Sequence, residues 1–74
     1  MSITTPQPGG KRVTIDDMLA CVRREIGMRR RVYPRWVEQS KMSAADADRE
    51  IETMEAVHTH LLAEKERQNP SLFG

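Results

Sequence analysis

Residues 29–47 read RRRVYPRWVEQSKMSAADA, and this stretch decides the fold because it joins the end of one helix to the start of another. Ser43 followed three residues later by Asp46 is typical of a helix N-cap with an acidic capping box. Only Gln39 to Met42 remain for the turn. Helices joined by so short a turn fold back on each other. The sequence therefore predicts an antiparallel helical hairpin.

Outward from the turn, we expect an all-α fold of two helices, at about 14–38 and 44–68. Residues 1–13 combine proline and glycine without helical periodicity, which predicts a flexible leader. Residues 69–74 follow the last periodic position and are expected to form a short C-terminal tail. The hairpin itself should occupy residues 14–68.

Local signals refine the helix ends. The Thr14 hydroxyl is placed to cap the amide of Asp17 at the start of the first helix. Pro34 removes a backbone hydrogen bond, so we expect it to kink the first helix or divide it. The turn contains no glycine, so Ser40 or Lys41 must adopt any unusual backbone angle that the reversal needs.

Apolar residues recur at helical spacing and predict the seam between the helices. We expect the seam to consist of Leu19, Val22, Ile26, Tyr33, Trp36, Ile51, Met54, Leu61 and Leu62. The apolar arc of the first helix spans about 180°, which is wider than one neighbouring helix covers. The surplus predicts an intersubunit surface of Met18, Cys21, Met28 and Val32. Since 74 residues build only a marginal core, we expect a homodimer that forms a four-helix bundle.

Charge is distributed unevenly along a chain whose net charge is only +1. Residues 23–35 hold six Arg against one Glu, whereas residues 43–67 hold seven acids against three bases. Attraction between the two helices is the simplest interpretation. Arg24, Arg31 and Arg35 share the face opposite the seam, where they are available to a partner or, alternatively, to nucleic-acid phosphates.

Arg29 is unusual because it projects into the apolar stripe. We expect it to pair with Glu25, one helical turn earlier, while its stem packs on Tyr33. Across the hairpin it should reach an acidic residue of the second helix. The candidates are Asp48, Glu52 and Glu55.

Few residues indicate a catalytic or metal-binding site. Glu55 and His58 have the E-x-x-H spacing of di-iron bundles, with Glu25 as a possible further ligand. We favour a core histidine whose ring nitrogen bonds a carboxylate, and so we expect no metal or other cofactor. The single cysteine, Cys21, excludes an internal disulfide. Without a membrane-spanning run or signal peptide, the chain is expected to be cytoplasmic.

A resemblance adds context. The run from Arg23 to Val57, RRxxGMRRRVYPRWVExSKMSxxxADREIxxMEAV, resembles small α-helical proteins encoded by phages and prophages of proteobacteria. It covers about half of the chain, and Ser40 stands where we expect glycine in that pattern. The resemblance implies a phage setting within the host cytoplasm and brings no activity or functional residues with it.

Together these features favour a non-catalytic protein–protein interaction module rather than an enzyme. In a phage setting, such a module would be a small regulator or inhibitor of a host or phage protein. The alternative is a nucleic-acid-associated protein that binds phosphates through the Arg-rich face of its first helix.

Overall fold

A computed structural model describes residues 12–68 of the chain. They form two α-helices, α1 (Ile15–Glu38) and α2 (Ala44–Gln68), and no strand occurs in this range. The Nζ atom of Lys65 lies 2.7 Å from a carboxylate oxygen of Asp16, which joins the end of α2 to the start of α1. The helices are therefore antiparallel, and the predicted two-helix, all-α fold is confirmed.

The predicted helix bounds agree with the structure to about one residue. Most of the predicted flanking segments lie outside the residues that the structure describes. Nearly all of the expected leader, residues 1–13, and all of the expected tail, residues 69–74, lie outside the described residues. Neither described helix contains an apolar stretch of the length that a bilayer requires.

Hydrogen-bonding side chains define where each helix begins. Thr14 Oγ1 accepts the amide N–H of Asp17, and an Asp17 carboxylate oxygen accepts the amide N–H of Thr14, both at 3.0 Å. Ser43 Oγ accepts the amide N–H of Asp46 at 3.0 Å. Each bond satisfies an amide that has no partner within its own helix. Both predicted N-caps are confirmed.

The first helix ends in a Schellman motif with a serine at the position that glycine usually occupies. The Lys41 N–H donates to the carbonyl of Trp36 at 2.9 Å, and the Ser40 N–H donates to the carbonyl of Val37 at 3.0 Å. Ser40 has a φ of 59°, the one positive value at a non-glycine residue of the described chain. Of the two residues considered, Ser40 thus adopts the left-handed conformation.

Replacing Ser40 with glycine should stabilise the hairpin by about 0.5–1 kcal/mol. Glycine removes the steric cost of the left-handed conformation, about 1–2 kcal/mol, and part of this gain is lost to the greater freedom of the unfolded chain. Urea unfolding at fixed protein concentration measures the change. Ser40→Ala is the control, because alanine retains the steric cost and should give no gain. A Ser40→Gly protein less stable than wild type would contradict the strain argument.

Pro34 lies inside α1 without ending it. The helix continues to Glu38, and the N–H of Gln39 donates to the carbonyl of Arg35 at 3.0 Å. Of the two effects expected of Pro34, division of the helix does not occur, since proline removes one hydrogen bond and the following turn still forms its own. A bend at Pro34 stays a prediction.

The core is small. Leu19, Ile26 and Ala47 are the buried apolar residues of the described chain, at 3%, 9% and 5% exposure. Most other predicted seam residues are half-buried, namely Val22, Tyr33, Ile51, Met54 and Leu61. Trp36 and Leu62 are 41% and 40% exposed. Their assignment to the seam is wrong because the buried strip between the helices is narrower than the apolar arc.

Candidate interaction surface

Arg29 anchors one side of the hairpin. Its Nε–H donates to a carboxylate oxygen of Glu25 at 2.9 Å, and its terminal nitrogen donates to a Glu50 carboxylate oxygen at 3.3 Å. The same nitrogen reaches the Glu50 backbone carbonyl at 3.2 Å. The guanidinium carbon lies 5.7 Å from the centre of the Tyr33 ring, within cation–π range. Arg29 thus ties α1 to α2 through a specific set of partners.

Two of the predicted Arg29 contacts are confirmed and one is wrong. Glu25 and Tyr33 are its partners within α1, as expected. Across the hairpin the partner is Glu50 and none of the expected residues, Asp48, Glu52 and Glu55. Glu55 does not pair with Arg29 because it lies on the other side of the seam, where it pairs with Arg30.

The hydrogen bond to Glu25 raises the pKa of the Arg29 guanidinium, and partial burial opposes this shift without cancelling it. Since the pKa of a free arginine side chain already lies far above neutrality, Arg29 remains charged at every physiological pH. It therefore supplies a permanent positive charge between two carboxylates at the middle of this side.

Spacing identifies the apolar residues on the same side as the Arg29–Glu50 pair. Residues three, four or seven apart share one side of a helix. On α1 this rule places Trp36 seven residues after Arg29, and on α2 it places Val57 seven residues after Glu50. We call this side the outer face. It comprises Met18, Cys21, Met28, Val32, Trp36 and Val57.

Side chains of the outer face are large and incompletely covered. Met18, Met28 and Trp36 of α1 are 41%, 42% and 41% exposed, and Val57 of α2 is 39% exposed. Cys21 is also exposed, whereas Val32 is half-buried. The predicted intersubunit residues therefore lie along one side of α1, with Val32 less accessible than the others.

Two outer-face residues were not expected there. Trp36 is one of the predicted seam residues, and Val57 belongs to neither the predicted seam nor the predicted intersubunit surface. The signal that identifies them is their seven-residue distance from the ion-pair partners Arg29 and Glu50. This spacing can be used only once the Arg29–Glu50 pair is known from the structure.

Trp36 is held at this position by its neighbour. Its ring centre lies 5.6 Å from that of Tyr33, and the two ring planes are inclined by 28°. Such stacked pairs contribute about 0.5–1.5 kcal/mol beyond the area they bury. The indole is therefore presented on the outer face in a defined orientation.

Exposed arginines border the outer face on α1. Arg24, Arg31 and Arg35 are exposed, and none forms an ion pair with a residue in the 12–68 range. A shallow groove of about 510 Å³ runs between the two sets of side chains. It is lined by Cys21, Arg24, Glu25, Gly27, Met28 and Arg31.

His58 lies apart from this surface and differs from expectation. Its Nε2 atom is buried and has no hydrogen-bond partner among the described residues. The prediction that its ring nitrogen bonds a carboxylate is therefore wrong for this atom, because the nearby Glu55 pairs with Arg30 instead. Within residues 12–68 no group of three His, Cys, Asp or Glu side chains is arranged to hold a metal ion.

Comparisons of this chain with protein-family models, with curated proteins and with solved structures find no match. The geometry of the outer face and of its arginine border is therefore the basis on which a function is inferred.

Proposed function

We propose that this chain is a non-catalytic protein–protein interaction module that binds a protein on its outer face. The observation that carries the proposal is a row of four large apolar side chains, each about two-fifths exposed, spread along one side of the hairpin. They are Met18, Met28, Trp36 and Val57. Covering their exposed fractions would stabilise a complex by roughly 2–5 kcal/mol, taking 1.5–3 kcal/mol for a fully buried side chain.

The surroundings of these side chains have the composition of a protein interface. Interfaces combine an apolar centre with a polar rim, and both tryptophan and arginine are enriched in them. Arg24, Arg31 and Arg35 form such a rim along one edge. Arg29, fixed between Glu25 and Glu50, adds a polar group of defined orientation.

The chemistry of this surface supports the proposed binding role. Thioether, indole and aliphatic groups bind through burial, and the charged side chains beside them recognise opposite charge. On the resemblance of residues 23–57 to small phage and prophage proteins, we further propose that the chain is a regulator or inhibitor of a host or phage protein, acting in the host cytoplasm.

Site-specific photocrosslinking in cells that express the full chain tests the proposal. A benzoylphenylalanine at Met28 should yield, on illumination, an adduct with one defined protein. The matched control carries the same group at Ala63, an exposed position of α2 that faces away from the outer face. Ala63 should give no comparable adduct. Absence of any adduct from the Met28 position would refute the proposal.

The alternative function, phosphate binding by the Arg-rich face of α1, is favoured by one observation: Arg24, Arg31 and Arg35 have no ion-pair partner among the described residues. We place it second because three arginines along one line neutralise few phosphates. The same photocrosslinking experiment separates the two functions. A Met28 adduct that nuclease removes would transfer the proposal to nucleic acid.

A further inference from the structure

We infer that the occupant of the outer face is a second copy of this chain, stacked so that both turns lie at the same end and each α1 lies over the partner's α2. This inference rests on the proposed function of the outer face and names its partner. Three properties of the described hairpin support it: the division of charge between the helices, the heights of particular charged residues, and the size of the core.

Charge divides between the two helices. Helix α1 contains six arginines and four acids, whereas α2 contains seven acids and three bases. Two copies that share the outer face through a two-fold axis can stack in two ways. An axis parallel to the helices places α1 over the partner's α2, with the turns together. An axis perpendicular to them places α1 over α1, with the turns apart.

The heights of individual residues favour the first arrangement. Arg35 and Asp46 lie at nearly the same distance from the turn, three and two residues inside their helices, and Arg31 and Glu50 lie seven and six residues inside. All four lie on or beside the outer face. The two arginines border it, Glu50 is on the side that defines it, and Asp46 precedes Val57 by three helical turns. When the turns coincide, each arginine comes to the height of the opposite charge on the partner. Such complementarity selects one orientation over another.

The second arrangement brings like charges together. It lays the middle of one α1 across the middle of the other. Residues 23–31 contain five arginines, with Glu25 as the single acid. Placing this segment on its own copy would oppose two strongly basic stretches, and repulsion between like charges disfavours that interface.

The core explains why a second hairpin is needed. Only Leu19, Ile26 and Ala47 are buried among the described apolar residues, whereas chains of this size usually rely on additional packing to be stable. A stacked second layer would cover Met18 and Trp36 and complete a four-helix bundle. The chain thus carries both the basic, apolar surface and the acidic surface that complements it.

Distance measurement between spin labels tests this orientation. The label is attached at Lys41, an exposed residue of the turn, in a Lys41→Cys protein whose native cysteine is removed by Cys21→Ala. Turns at the same end place the labels about 30 Å apart or less. Because 24 residues of helix span roughly 36 Å, turns at opposite ends separate the labels by about 40 Å or more.

A distance of 30 Å or less supports the inference, and 40 Å or more overturns the orientation while leaving the proposed function intact. Sedimentation equilibrium of the wild-type chain at the same concentration is run in parallel. It establishes whether a dimer forms without the Cys21 substitution. A wild-type monomer overturns the inference, and the Met28 photocrosslink then decides separately whether a different protein occupies the outer face.

Discussion

Replacing Leu19 with alanine should lower the free energy of unfolding by about 2–5 kcal/mol, the range measured for buried leucines. Leu19 is 3% exposed and is the most completely buried residue of the small described core. Because a domain of this size has little stability in reserve, much of the Leu19→Ala protein should be unfolded at room temperature. Circular dichroism during urea unfolding, at fixed protein concentration, measures the loss.

Met18→Ala is the matched control for this prediction. Met18 precedes Leu19 in the same helical turn, yet it is 41% exposed. In dilute solution its truncation should cost less than about 1 kcal/mol. If the outer face binds a second copy, the cost should rise with protein concentration, because only the dimer then loses a contact. Equal losses for Leu19→Ala and Met18→Ala in dilute solution would contradict the assignment of the seam.

The helix caps and the turn are the features that the sequence predicts best, because their determinants are local. The Thr14 and Ser43 caps depend on side chains three residues from the amides they bind, so their geometry follows from spacing alone. The absence of glycine in the turn indicated that a residue there must be strained. The structure identifies that residue as Ser40, since the Schellman bonds require a left-handed conformation at that position.

The sequence is less informative about which residues lie in the seam, because this depends on how the two helices face each other. Projection of α1 gave a broad apolar arc, and Trp36 was assigned to the seam because it lies within that arc. The structure shows a narrower buried strip centred on Leu19 and Ile26, which leaves Trp36 41% exposed. Helical periodicity gives the direction of each side chain, but the width of the contact depends on the packing of the partner helix.

The partner of Arg29 illustrates the same limit. Several acids of α2 lie at a suitable height, and height alone does not distinguish them. Glu50 forms the bond because it lies on the same side of the seam as Arg29, whereas Glu55 lies on the other side and pairs with Arg30. The candidate site is predicted only in part from the sequence. Met18, Cys21 and Met28 are predicted on this surface and are exposed, whereas placing Trp36 and Val57 there requires the relative rotation of the helices.

Replacing His58 with leucine should raise the free energy of unfolding by about 1–2 kcal/mol. Its Nε2 atom is buried without a hydrogen-bond partner among the described residues. A buried polar group that lacks a partner costs about 1–3 kcal/mol in lost hydration. Leucine has a similar size, removes the polar atom and adds apolar contact at a half-buried position. Both effects act in the same direction, so the gain should be visible in urea unfolding.

His60→Leu provides the comparison, because His60 lies two residues further along α2 and is exposed. It makes the same chemical change without burial and should alter stability by no more than about 0.5 kcal/mol. Both variants are measured at the same protein concentration. A destabilised His58→Leu protein would contradict the prediction, because it would mean that the imidazole makes a favourable contact that leucine cannot replace.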